Sequence, residues 1–121
     1  MVKLVYCIRR LPGMSAEEFR RHWREKHAPQ VAHFAKALHA RRYVQSHTLD
    51  SVLNETLRGA RGAGPPYDGV TEVWWDSEDD LADVMHAREG AEAGRALLED
   101  ERSFIDLEGS VLFLTEEHEI F

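Results

Sequence analysis

His27 is the residue in this chain best placed to do chemistry. Phe19, Trp23, Lys26 and His27 follow one another at i, i+4, i+7 and i+8, which is one stripe of a helix. A histidine on the stripe of Phe19 and Trp23 points inward, where a neutral imidazole works as a general acid or base near pH 7. The structural alternative is a buried histidine bonded to a backbone carbonyl just before Pro29. Glu72 stands between Val70 and Trp74 on one face of an apolar strand. A carboxylate desolvated beside tryptophan has a raised pKa and can shuttle protons; the alternative is an interface carboxylate paired with Arg42. His47 shares a strand face with Tyr43 and Gln45 and is expected to neighbour Glu72 as a second acid–base group. Tyr6 and Tyr43 offer hydroxyls that can orient a phenol, enol or lactone oxygen at the rim of an apolar pocket. Trp23 and Trp74 are expected as further pocket walls. Cys7 has no base beside it and reads as a small core residue.

Other chemistries lack their motifs. His22 and His27 are five apart, a poor helical spacing for a shared ligand site. No H-x-x-x-H, H-E-x-x-H or cysteine pair occurs, so no metal is expected. Gly62-Ala63-Gly64 runs into Pro65-Pro66 rather than into a helix, so it is not a dinucleotide loop. No Gly-x-Ser-x-Gly elbow occurs. The expectation is a chain without a cofactor.

The residues must be positioned by one small domain. The chain has 121 residues, 43% hydrophobic and 31% charged, which fits a single domain over 1–121. No apolar run approaches the ~20 residues of a membrane span. The formal charge of −7 argues against nucleic acid as a partner. A single cysteine, and an N-terminal strand-like run followed by Arg9-Arg10 rather than a cleavage site, lead us to expect a cytoplasmic protein. The charge is unevenly spread. Residues 1–60 hold 11 Lys/Arg and 5 Asp/Glu, and residues 61–121 hold 4 and 17. The two halves could face each other within or between chains.

Val2 to Ile8 reads as a strand with both faces covered. Ser15-Ala16-Glu17-Glu18 is a capping box that opens a helix, and Pro29 is expected to interrupt it. A second helical stretch runs from about Pro29 to Leu38. Arg41 to Leu49 alternates as a strand. Residues 50–68 form a loop region with a short helix at Ser51 to Arg58, and could serve as a lid. Gly69 to Asp76 is the third strand. Ser77 to Asp80 cap a helix whose buried stripe is Leu81, Val84 and Met85. Gly90 and Gly94 loosen the next stretch, and helical packing continues to about Asp106. Val111 to Thr115 is the last strand.

The order β-α-β-β-α-β predicts an α+β, ferredoxin-like fold: a four-stranded antiparallel sheet with helices on one face. Strands one, three and four are apolar on both sides. A bare apolar sheet face of that size calls for a second copy packed sheet on sheet, hence a homodimer.

Four segments resemble the EthD-like family of the dimeric α+β barrel superfamily. They are Leu4 to Ser15, Glu18 to Pro29 with its Phe-x-x-x-Trp-x-x-x-His pattern, Tyr67 to Asp76, and Leu98 to Asp106 followed by Glu116-Glu117-His118. The resemblance implies the dimeric barrel. It implies function less narrowly, because the superfamily includes cofactor-free aromatic monooxygenases, polyketide cyclases, dehydratases and muconolactone isomerases, and the founding member is an accessory protein in fuel-ether degradation. The lactone isomerases also have a histidine near the end of the first helix, here His27. Their cavity cysteine lies on a later strand, whereas Cys7 lies on the first.

The reading that results is a small cofactor-independent enzyme of proton-transfer type. It would be a dehydratase, cyclase or isomerase acting on a small hydrophobic metabolite: an aromatic, polyketide-like or lactone compound. His27, Glu72 and His47 would be the acid–base groups, and Tyr6, Tyr43, Trp23 and Trp74 would bind the substrate. Two alternatives are a cofactor-free monooxygenase and a non-catalytic accessory or ligand-carrying dimer for a partner oxygenase.

Overall fold

The computed structural model describes residues 1–121. Four strands, β1 (Val2–Ile8), β2 (Arg42–His47), β3 (Gly69–Trp75) and β4 (Val111–Thr115), form one sheet in the order β2-β3-β1-β4. Every pairing is antiparallel. The fold is therefore α+β with the expected ferredoxin-like sheet. No helix is long and apolar enough to cross a membrane.

The register sorts the side chains. Tyr6 lies opposite Thr71 and Leu112, and Thr71 lies opposite Gln45. Leu4, Tyr6, Ile8, Tyr43, Gln45, His47, Thr71, Val73 and Trp75 thus share the inner face, beneath the helices. Lys3, Val5, Arg42, Val44, Val70, Glu72, Trp74 and Phe113 share the outer face.

The first helix departs from expectation. Helix α1 (Ala16–His22) opens on Ser15, whose hydroxyl accepts from the Glu18 N–H. The helix then widens into a π turn over Trp23–His27, where the Ala28 N–H donates to the Trp23 carbonyl, and runs on as α2 (Ala28–Phe34). Pro29 does not interrupt it. It falls in the first turn of α2, where a missing N–H removes least.

Residues 50–68 are more ordered in kind than a loop. Helix α3 (Val52–Arg61) is capped by Ser51 and buries none of its residues. Helices α4 (Glu78–His86) and α5 (Arg88–Glu101) are joined through the single extended residue Ala87. Gly90 does not loosen this corner. A Cβ there would lie 2.8 Å from Val84 Cγ1, so its absence lets α5 turn tightly back on α4. The corner seats Val84 inward and leaves Met85, expected in the buried stripe, 67% exposed. Helix α5 ends at Glu101, before the expected Asp106, because Ile105 forms a bridge with Arg10.

The core is Tyr6, Ile8, Phe19, Trp23, Phe104 and Ile105. Trp23 is seated by the start of β3, where a Cβ on Gly69 would stand 2.6 Å from Trp23 Cη2 and 2.9 Å from the Ser46 carbonyl. Gly69→Ala should therefore destabilise the chain by about 1–3 kcal/mol through overpacking. Chemical denaturation followed by tryptophan fluorescence measures the loss.

Candidate functional site

The helices do not close completely on the sheet. Between them lies a cavity of about 170 Å³, mostly apolar, with 12 of its 15 lining residues hydrophobic. Leu4, Tyr6, Tyr43, Thr71, Val73, Trp75 and Leu112 line it from the sheet, and Trp23, His27, Val31, Leu97 and Glu101 from the helices. Its polar groups are few and specific, as in a small-molecule site.

His27 is 6% exposed. Its Nδ1–H donates to Asp100 Oδ2 at 2.7 Å, which fixes the tautomer with Nε2 as the acceptor. Nε2 has no hydrogen-bond partner in the protein and is not a sealed, unsatisfied atom, so it is open to a ligand in the cavity that the ring lines. Burial lowers the His27 pKa, and the Asp100 hydrogen bond only partly offsets this. The imidazole is thus neutral at pH 7 and able to take a proton. Burial pushes the Asp100 carboxyl up, but the hydrogen bonds of His27 and His22 outweigh it and hold the group below its ordinary range. The pair is therefore a neutral imidazole on an ionised carboxylate.

His22 reaches the same carboxylate, its Nε2–H donating to Asp100 Oδ1 at 3.0 Å. Five residues of α-helix would set His22 and His27 about 140° apart. The π turn changes this, because its i→i+5 bonding stacks residues five apart. The spacing judged poor for a shared partner is thus the spacing this turn needs. The Phe104 ring packs against both imidazoles, at 4.6 Å from His22 and 5.1 Å from His27 between centroids.

Glu101, next to Asp100, turns toward the sheet and accepts a 3.0 Å hydrogen bond from the Tyr6 hydroxyl. Burial raises the pKa of Glu101. Burial and the adjacent carboxyl together raise Tyr6 far above the ordinary phenol range. Tyr43 accepts from Gln45 Nε2 at 2.8 Å and is also raised by burial. The Gln45 amide also donates to the Trp23 carbonyl at 2.9 Å, and its oxygen accepts from His47 Nε2 at 2.9 Å.

Of the residues read from the sequence, His27, Tyr6, Tyr43 and Trp23 come together around the cavity. His47 does not join them. It stacks on the far side of Trp23, ring centroids 4.3 Å apart, beside Arg20 and Arg24. Nor does it neighbour Glu72, because Val44 is the residue opposite Glu72 and His47 is opposite Gly69. Glu72 lies on the outer face, where Lys3 Nζ stands 2.7 Å from it in place of the anticipated Arg42. Trp74 is corrected in the same way. It lies on the outer face with its Nε1–H donating to Glu117, and Trp75 rather than Trp74 lines the cavity. None of residues 50–68 lines the cavity.

The sequence reading missed Asp100 and Glu101. Glu101 had a signal: Ala93, Leu97, Glu101 and Phe104 form one stripe at i, i+4, i+8 and i+11, so one carboxylate lies on the apolar face of its helix. Asp100 had none, because its two partners depend on the π turn.

A carboxyl whose pKa is raised on folding contributes stability that is lost as pH rises. The wild type should therefore lose stability progressively above the ordinary glutamate value of 4.5 through its raised folded value. Glu101→Gln keeps an acceptor for Tyr6 and removes that loss. Its thermal midpoint should match wild type below pH 4.5 and exceed it by a gap that opens above that pH and then levels off, which calorimetry across a pH series would show.

The wider similarities fit this fold. A family model described as EthD domain matches residues 11–108. No curated protein matches the sequence. Among solved structures, an ethyl tert-butyl ether D (EthD) family protein of Bacillus halodurans C-125 is 21% identical, over 98% of this chain and 99% of that one, with a TM-score of 0.64. A dimeric protein of unknown function and ferredoxin-like fold from Bacteroides fragilis NCTC 9343 is 11% identical, over 96% and 95%, with a TM-score of 0.61. SnoaB of Streptomyces nogalater, a cofactor-independent oxygenase, is 15% identical, over 98% and 93%, with a TM-score of 0.56. At these identities the structures share the fold alone. The family match spans most of the chain, including its first helix and the residues Asp100 and Glu101, and the chain belongs to the EthD domain family.

Proposed function

We propose that the chain is a small enzyme of proton-transfer type, working without a cofactor on a hydrophobic aromatic, polyketide-like or lactone metabolite. One observation carries the reading: a buried neutral imidazole, held by an ionised carboxylate at 2.7 Å, leaves its free nitrogen available in an apolar cavity. His27 Nε2 takes a proton from an acidic C–H or O–H of the bound molecule. Asp100 keeps the tautomer and stabilises the imidazolium that results. The Tyr6–Glu101 pair stands at the cavity wall, where it can return a proton to a developing hydroxyl or enolate oxygen. Dehydration, cyclisation and isomerisation all need such a give and take. His47 and Glu72, apart from the cavity, act in this reading through Trp23 packing and outer-face pairing rather than on the substrate.

The working unit is a homodimer. On the outer face Val111 and Phe113 of β4 are 44 and 50% exposed, beside Val5, apolar surface that a second copy packed sheet on sheet would cover. The dimeric Bacteroides fragilis protein of the same fold supports this. SnoaB's description as a cofactor-independent oxygenase supports a second reading, in which the same base takes the proton of a phenol and molecular oxygen is the oxidant of the phenolate. Oxygen uptake with a phenolic substrate in metal-free buffer separates the two.

On an identified substrate, His27→Ala in folded protein should lower kcat by about 10²–10⁴-fold, the usual worth of a positioned acid–base group. Full activity in that variant would end the assignment. Asp100→Asn should lower kcat by a comparable factor while leaving KM near wild type, with the Nδ1–H signal of His27 shifted in nitrogen-resolved NMR. Sedimentation at micromolar concentration should show a dimer, and a monomer alone would refute the interface.

A further inference from the structure

The size and polarity of the cavity narrow what it can hold. This step rests on the reading of the cavity as the reaction site. Its volume of about 170 Å³ is close to the ~150 Å³ of an engineered apolar cavity that binds benzene. It falls below the ~300–1,000 Å³ usual for sites that take drug-sized molecules. Trp23 and Trp75, both buried to 5% exposure or less, are part of its wall, and at the near-crystalline density of a protein interior neither yields room for a second ring without being displaced.

The charges exclude as well as admit. No lysine or arginine lines the cavity, while Glu101 does. An anionic ligand would lose its water, meet no cation and lie beside a carboxyl whose ionisation burial already opposes. The hydrogen-bonding groups are complementary to a hydroxyl. His27 Nε2 is an open acceptor. Tyr43, whose oxygen accepts from Gln45, keeps its own O–H to donate.

We infer that the cavity selects an uncharged single-ring molecule bearing a hydroxyl or enol, the hydroxyl proton on His27 Nε2, and excludes multi-ring and carboxylate-bearing compounds. Polyketide-like substrates with fused rings fall outside this class.

Phenol, 4-phenylphenol and benzoate are the probes, titrated into the dimer or monomer as isolated at pH 7.5. Binding is read from the Trp75 indole and His27 ring signals by NMR, which needs no turnover. Phenol should bind with millimolar affinity or better, at least ten-fold tighter than either of the others. Leu97→Ala, which enlarges the cavity, should narrow the gap between phenol and 4-phenylphenol. The inference is overturned if 4-phenylphenol or benzoate binds wild-type protein as tightly as phenol, or if phenol shifts neither signal. The acid–base reading is judged separately. Phenol bound at His27 with full turnover in His27→Ala would leave the size class standing and remove the catalytic role. Loss of turnover in that variant beside tight 4-phenylphenol binding would do the reverse.

Discussion

Two imidazoles on one carboxylate organise this molecule. Asp100 stands at the end of α5, and His22 and His27 stand one π turn apart on the first helix. The three groups tie together two helices that lie over the sheet with few other polar links. The next residue, Glu101, ties the same turn of α5 to β1 through Tyr6. Adjacent side chains on α5 therefore anchor it to the other helix and to the sheet. A partly buried pair of this kind is not chiefly a source of stability, since desolvation offsets much of the attraction. What it supplies is position: the His27 ring cannot rotate without breaking a 2.7 Å hydrogen bond to an ionised group.

Part of the uneven charge of the chain is paired in the same way. The basic first half and acidic second half meet across the fold, in Lys3–Glu72, Arg10–Asp68, Arg41–Asp76 and His39–Asp80, as well as in the two histidines on Asp100. Arg41–Asp76 is exposed and contributes little by itself, and the others are partly buried, where desolvation offsets much of the attraction. Together they favour one arrangement of the two halves, because each mismatched arrangement would bring like charges together.

Much of the fold was legible in the sequence because it rests on periodicity. Apolar runs bounded by turn residues placed β3 and β4 almost to the residue, and the capping box placed the start of α1. Of the cavity, His27, Trp23, Tyr6 and Tyr43 were legible because each lies on an apolar stripe or an inward strand position. Two kinds of information were not. Strand register is set by pairing, so the side of the sheet taken by Glu72, Trp74 and His47 could not be read from any one strand. A single displaced register position exchanges the two faces. The π turn was hidden as well. Ordinary helical spacing separates His22 from His27 and makes Pro29 a breaker, and only the wider turn reconciles both with one continuous helix.

The two faces of the sheet divide the work between them. The inner face carries Tyr6, Tyr43 and Thr71 beside Leu4, Val73 and Trp75, and these meet the helices around a space the side chains do not fill. The outer face carries Val5, Val44, Val70 and Phe113 around the paired Lys3 and Glu72. A cavity weakens the packing of a small chain, and only 16 of these 121 residues are buried. Stability forgone at the site must then come from elsewhere. The outer face and the half-exposed β4 are where the chain still has apolar surface to bury. At about 25 cal/mol per Å², covering a few hundred Å² of that surface would offset the void beneath it. An unfilled site on one side of the sheet and an unfilled interface on the other are thus two consequences of a single sheet that is apolar on both faces.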